Sequence, residues 1–402
     1  MATTHDLLVI GGGIHGAGIA QAAAAGGYSV LVLEQTALAA GTSSRSSKLI
    51  HGGLRYLESG QVALVRECLR ERSRLLTLAP SLVALRPFMI PVYRHSRRRP
   101  WLIQAGLSLY ALLGGLSPET RFRRVPKQLW GTLDGLDTTH LQAVFQYQEA
   151  QTDDAALTRA VMRSAQSLGA ELLMPAMFHG AWLSDEGTRI EYRHQGALRT
   201  CAARVLVNAA GPWVQQVLAR ITPRPSQCDV ELVQGTHIIV PGQLTQGMYY
   251  VEAPDTRPVF VMPWQGHTLV GTTATRYQGD PAAVVPLPEE EAYLLRTLER
   301  YFPQYRAAHS SRTILSAMAG LRVLPKARAK ARDGDASVAL SHSRETVLHG
   351  DRPERPLVLT VYGGKLTTYR LTAERVMQRL ASVLPKRTAI ADTCQLRIKE
   401  TA

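Results

Sequence analysis

Cysteine is scarce in this 402-residue chain, and its four copies, Cys68, Cys201, Cys228 and Cys394, fall into no C-x-x-C or zinc-ligand spacing. That spacing supports neither a disulfide framework nor a metal site, so no metal is expected and a reducing compartment fits. No apolar run reaches the roughly 18 residues of a membrane span. No leader precedes the first apolar strand, so the expectation is a cytoplasmic protein. Acidic residues are also in deficit, 32 against 46 Lys and Arg, for a net charge of +14. Such a surplus attracts polyanions or an anionic membrane face and steers acidic substrates. No helix-turn-helix, zinc-finger or RNP-like signature accompanies it, so nucleic acid is not an expected partner. With 45% hydrophobic and 19% charged residues the composition is globular, which excludes disorder. Internal repeats are lacking, and the length predicts two domains.

What is present is concentrated near the start. Leu7-Leu8-Val9-Ile10 is a short apolar strand, and Gly11, Gly13 and Gly16 follow it in G-x-G-x-x-G spacing. In that spacing the first glycine makes a tight turn, the second lets backbone approach a pyrophosphate, and the third packs helix on strand. Free N–H groups at the helix N-terminus satisfy the anion. An Ala-rich helix, the stop Gly26-Gly27 and a second strand, Val30 to Leu33, lead to Glu34. That acid stands at about the distance, roughly 20 residues, of a ribose-binding carboxylate.

Further along, Thr42 to Glu58 is too rich in hydroxyls and glycine for a plain connector. Its serines suit phosphate or ribitol oxygens, and Gly52-Gly53 would let backbone press on a flat ring. Val62 to Leu78 has the periodicity of an amphipathic helix. Asp153-Asp154 reads as a helix start, and Val205 to Asn208 as a buried parallel strand running into Gly211-Pro212-Trp213. Short alternating bursts at 236–240, 259–262 and 268–272 predict an antiparallel sheet, interrupted by a helix from Glu289 to Tyr301. Ser316 to Arg322 predicts a further strand. The polar stretch Ala327 to Ala336 reads as a mobile connector. Leu357 to Arg370 reads as strand, Gly363-Gly364 turn and helix, a second anion cradle.

Together, Gly11 to Gly18 with Glu34, Ser43 to Glu58, Val207 to Trp213, Gly271-Thr272-Thr273 with Gly279-Asp280-Pro281, and Gly363 to Arg370 resemble the FAD-dependent glycerol-3-phosphate dehydrogenase family across nearly the whole chain. The runs S-S-K-L-I-H-G-G-L-R-Y-L-E and G-G-K-L-T-T-Y-R carry most of the likeness. The resemblance implies a glutathione-reductase-type FAD-binding Rossmann domain assembled from segments 1–80, 145–222 and 340–402. A substrate domain of antiparallel β with helices, 81–144 and 223–339, would cap it. It implies oxidation of sn-glycerol 3-phosphate to dihydroxyacetone phosphate, with hydride passing from C2 to flavin N5 and electrons onward to a membrane quinone. The FAD contacts implied are Gly11, Gly13, Gly16, Glu34, Thr42, Ser43, Ser44, Ser47, Gly52, Gly211, Gly364 and Thr367. Arg55, Tyr56, Lys365 and Thr273 would bind substrate, and His237 and Arg322 would be catalytic. The chemistry agrees, since a phosphate dianion needs fixed cations and flavin supplies the difficult step. His237 is the leading base because an imidazole titrates near working pH; a hydrogen-bonded strand histidine is its alternative, as an interface salt bridge is for Arg322.

Two departures from the family are visible. Ala274 stands where the family has Asp after Gly-Thr-Thr, and the chain reads as a short form without the family's C-terminal helical domain. An amine or 2-hydroxy-acid oxidoreductase of the same architecture, or a related phosphorylated polyol as substrate, therefore stays open. Finally, Arg97-Arg98-Arg99 precedes an apolar stretch. This predicts a docking helix within 94–113 on the inner membrane face, with Trp101, Leu102, Ile103, Leu107, Tyr110 and Leu113 entering the interface.

Overall fold

The computed structural model describes residues 5–185, 187–308, 314–326 and 346–399. The connector expected at 327–336 lies outside them. Five parallel strands form the first sheet's centre. His5–Ile10 pairs with Val30–Leu33 on one side and with Ala197–Asn208 on the other. Glu171–Leu173 joins beyond Val30–Leu33, and Val358–Tyr362 beside Asn208. The first half of Ala197–Asn208 instead pairs antiparallel with Gly187–His194, which continues to Ala176–Ser184.

The period-2 alternation of strand side chains divides this sheet's core in two. Leu7, Val9, Val30, Val32, Val205 and Val207 face the helices Ile14–Ala25, Asp154–Ser167 and Tyr369–Leu380. Leu8, Ile10, Leu31, Leu33 and Leu206 face the antiparallel ribbon and its neighbours. Helix contact is close because one residue is small: a Cβ on Gly18 would stand 2.7 Å from the Tyr369 ring. Asp153 caps its helix by accepting a hydrogen bond from the Ala156 N–H at 2.9 Å, as the paired acids predict.

The second sheet is ten-stranded among the described residues and mainly antiparallel. Val230–Val240, Ser316–Pro325, His267–Gly271 and Pro258–Trp264 pair antiparallel on one side of it. Val83–Tyr93 and Leu141–Thr152 form a long ladder on the other side. That ladder runs through residue 145, so the expected boundary there is crossed by a strand held on the second sheet along its whole length. Leu49–Ile50, within the expected segment 1–80, pairs with the same strand. The helix Pro288–Tyr301 covers one face with Leu294, Leu298 and Tyr301. Helices Val62–Leu78 and Pro100–Leu113 cover the other with Val65, Leu69, Leu107 and Tyr110.

The last point corrects an expectation. Leu107 and Tyr110 are buried at 1% and 0% exposure, while Trp101, Leu102, Leu109 and Leu112 are exposed. The helix is apolar nearly all round, so its periodicity does not distinguish the packed face from the open one. No helix among the described residues is long and apolar enough to cross a membrane.

Candidate active site

One cavity of about 1210 Å³ runs between the sheets, from the first glycine turn to the second sheet. At its first end the glycines do separate tasks. Gly11 has φ of +109°, and a Cβ there would meet the Ala209 carbonyl oxygen at 2.7 Å. Gly16 does not line the cavity; a Cβ on it would lie 1.9 Å from the Gly11 carbonyl oxygen, so its task is to let helix and turn touch. Gly13 lines the cavity, and the Ile14 N–H beside it donates to Ser43 Oγ at 2.9 Å. Glu34 is buried at the strand end, accepting from the Gly12 N–H at 2.7 Å and the Thr36 N–H at 2.8 Å. Gly364, with φ of +106°, packs against His15 so closely that a Cβ would meet the His15 Nε2 at 2.1 Å. A flavin nucleotide fits this end: two glycine turns open onto one cavity, and the buried His15 Nδ1 has no partner. His15 was not singled out from the sequence, where it is one variable position of the fingerprint; burial lowers its pKa to about 4.

The loop after Thr42 joins the two sheets. Thr42 Oγ1 donates to the Leu321 carbonyl at 2.7 Å, and Arg45 Nη1 to the Ala319 carbonyl at 3.2 Å. Lys48, also missed in the sequence, anchors the loop through a buried ion pair with Asp154 at 2.6 Å and a bond to the Ser44 carbonyl. Two expected cofactor contacts are corrected here. Ser44 lies outside the cavity and its hydroxyl donates back to the Gly41 carbonyl. Gly52 lies behind the wall, its N–H directed at Tyr110 Oη and Glu149, because a Cβ there would meet Tyr110 Oη at 2.2 Å. Ser43, Ser47, Gly211 and Thr367 do line the cavity.

Beyond the second glycine turn, which runs directly into Lys365, the same cavity is lined by Arg55, Tyr56, His237 and Arg322, so that four separated segments supply these five residues. Lys365 Nζ lies 3.7 Å from the Tyr56 ring centroid and 3.8 Å from Cys68 Sγ. Burial pushes the Cys68 thiol up to about 11 despite the nearby lysine, so the thiol stays neutral and leaves the lysine's charge uncompensated by a thiolate. His237 is 2% exposed, with Nε2 at 2.9 Å from Ser47 Oγ and Nδ1 buried without a partner. Burial, then Arg322 and Lys48, lower its pKa to about 3. The expectation that it titrates near working pH is therefore corrected: its ring is neutral there.

Arg322 Nη2 donates to Thr272 Oγ1 at 3.1 Å and to the Thr273 carbonyl at 3.2 Å. Thr273 reaches the cavity wall, but its hydroxyl proton goes to Glu290 at 2.7 Å and its oxygen accepts from the Thr236 N–H. Its expected role in gripping substrate is corrected, since that hydroxyl is committed elsewhere. Arg257, another cavity residue not anticipated, donates to the Ala274 carbonyl at 3.1 Å and pairs with Asp255.

A family model described as FAD dependent oxidoreductase matches residues 6–370. A glycerol-3-phosphate dehydrogenase of Pseudomonas aeruginosa is 39% identical over 94% of this chain and 72% of its own length. D-erythritol 1-phosphate dehydrogenase of Brucella abortus is 38% identical over 95% and 75%. Among solved structures, the glycerol-3-phosphate dehydrogenase of Bacillus halodurans complexed with FAD matches with a TM-score of 0.71 and 27% identity, over 98% of this chain and 67% of that one.

Proposed function

The chain belongs to the FAD-dependent oxidoreductase family, and from that premise we propose that it oxidises sn-glycerol 3-phosphate to dihydroxyacetone phosphate. The observation that carries the reading is that two cations, Arg55 and Lys365, line the same cavity as a buried neutral imidazole, Lys365 following directly on the second glycine turn. When bound, FAD supplies the acceptor for the hydride leaving C2. Arg55 and Lys365 hold the phosphate dianion, the first by a guanidinium fork and the second as a point charge. Tyr56 keeps Lys365 in place through its ring face. His237, fixed by Ser47, takes the C2 hydroxyl proton; it is neutral and so able to accept one, and the bound substrate's negative charge must raise its pKa from about 3 for the transfer to proceed. Arg322, held by Thr272 and Thr273, steadies the oxygen as negative charge develops on it.

Ala274 favours a second reading within the same chemistry. It places a methyl group at the cavity where the resemblance implies a carboxylate, so a longer phosphorylated polyol is the rival substrate, in line with the erythritol phosphate relative. Anaerobic mixing of the holoenzyme with glycerol 3-phosphate, erythritol 1-phosphate, a 2-hydroxy acid and an amino acid separates the candidates. Bleaching of the flavin by glycerol 3-phosphate alone, or fastest by it, is expected; bleaching only by an amino acid or hydroxy acid contradicts the proposal.

We further propose that the electrons pass to a membrane quinone and that the protein docks reversibly on an anionic membrane face. What supports this is the apolar edge of Trp101, Leu102, Leu109 and Leu112 beside exposed Arg94, Arg97 and Arg99. Each basic residue near such a surface contributes about 1 kcal/mol. Arg98 is less available, being paired with Glu58 and Glu252. Flotation with anionic liposomes that is lost in a Trp101→Ser, Leu112→Ser variant supports docking, and unchanged flotation contradicts it.

A further inference from the structure

Glu290 is a buried carboxylate, 4% exposed, on the first turn of the helix Pro288–Tyr301. Both its oxygens are fully engaged. One accepts from the Thr273 and Thr275 hydroxyls, each at 2.7 Å; the other accepts from the Thr236 hydroxyl and from Gln234 Nε2 at 2.7 Å. A fifth bond, from the Leu287 N–H at 3.4 Å, caps the helix; the other four exceed what capping requires, and none of their donors is on the helix. They come from the strand Val230–Val240, which carries His237, and from the segment after Gly271. Burial raises the carboxyl pKa, but the four donors outweigh it and hold the group below its ordinary value, so it stays charged.

The cage leads to the reaction site by one covalent step. Thr273 gives its hydroxyl to Glu290 and its carbonyl to Arg322, while its N–H is turned to the Thr236 carbonyl. Arg322 lies across Gly235, where a Cβ would stand 2.5 Å from Nη2 and 2.6 Å from Thr272 Oγ1. The guanidinium is thus seated in a slot whose floor is a glycine and whose wall is the Thr272-Thr273 segment. A charge-assisted bond is roughly twice as strong as a neutral one; Glu290 applies one to that wall at Thr273 and others to Thr236 and Thr275 on either side of it.

We propose that Glu290 is a positioning residue for the oxidation: by clamping Thr273 against Thr236 it fixes the carbonyl and hydroxyl that seat the Arg322 guanidinium beside His237. The inference rests on the reading of Arg322 as part of the substrate site. It also explains why Thr273 faces the cavity wall without offering its hydroxyl there.

The test is a double-mutant cycle on the holoenzyme with Glu290→Gln, Arg322→Lys and the pair, scored by kcat/KM for glycerol 3-phosphate, by bound FAD per chain and by melting temperature. Glu290→Gln should retain FAD and lose on the order of tenfold to a hundredfold in kcat/KM, the equivalent of one charge-assisted bond. The double variant should be no worse than Arg322→Lys alone, because the clamp acts through that arginine. Thr273→Val, which cuts the clamp but leaves the other four bonds to Glu290, should reproduce the loss and decides the matter if Glu290→Gln fails to fold or retain FAD. Multiplying losses in the double variant, or a lowered melting temperature with unchanged kcat/KM in both Glu290→Gln and Thr273→Val, overturns the proposal. A wild-type enzyme that does not reduce its flavin with any polyol phosphate would instead overturn the substrate reading.

Discussion

The two ends of the cavity recognise anions by different means. At the cofactor end, contact comes from backbone and from missing side chains: Gly11 and Gly364 adopt positive φ, Gly13 opens the wall, and one buried acid, Glu34, ties the turn. At the substrate end, the work falls to long side chains, Arg55, Lys365, Arg322 and His237, of which three are seated by a neighbour: Tyr56 for Lys365, Ser47 for His237, Thr272 and Thr273 for Arg322. Backbone recognition tolerates no added atoms, and side-chain recognition tolerates no lost partners. The two ends should therefore fail differently when mutated.

The joint between them should be the most sensitive place. Lys48 and Asp154 are both buried, and removing one partner of such a pair strands a charge at a cost of about 3–5 kcal/mol. Asp154→Ala should lower stability by that amount in denaturant unfolding and release FAD, because the Thr42 to Lys48 loop loses its anchor. A variant with wild-type midpoint and full flavin would show that the ends are independent of the loop.

The substrate end should then respond without the cofactor end. Lys365→Ala or Arg55→Ala should raise KM about 10- to 150-fold, the loss of ~1.5–3 kcal/mol for a charge-assisted bond, while flavin content holds. Variants that shed FAD yet keep their substrate affinity in the residual holoenzyme would assign these cations to the wrong end.

A smaller effect shared by both ends comes from their buried histidines. His15 and His237 have folded pKa values near 4 and 3, below the ordinary value of 6.5. Below pH 6.5 the unfolded chain takes up protons that the folded chain refuses, so stability present above that pH is lost as pH falls toward those values. Between pH 7 and 5 each should cost about 2 kcal/mol. His15→Gln and His237→Asn should each flatten the decline in melting temperature over that range; parallel slopes in variant and parent would refute the assignment.

The contrast also explains what the sequence reveals. The cofactor end is built from contiguous spacing, Gly11 to Gly16 and then Glu34, and periodicity alone locates its strands and helices. The substrate end draws on residues far apart in the chain, and His237 and Arg322 were reached through resemblance rather than spacing. Glu290 gave no signal, since an acid in a helix's first turn is ordinary and its donors Gln234, Thr236, Thr273 and Thr275 meet only in the folded sheet. Gly52 was misread because a glycine beside a flat ligand and a glycine beside Tyr110 look alike in one dimension. Leu107 and Tyr110 were misassigned for want of a polar face on their helix.

The central claim is that one cavity holds a backbone-gripped flavin at one end and a cation-gripped phosphate at the other. Anaerobic flavin reduction by glycerol 3-phosphate and by glycerol, measured in parallel on the parent and on the Arg55→Ala, Lys365→Ala double variant, tests it directly. The account predicts that the parent is reduced at low concentration by the phosphate ester only, and that the variant keeps its FAD but loses the preference. Equal reduction of the parent by glycerol, or an unchanged preference in the variant, would contradict it.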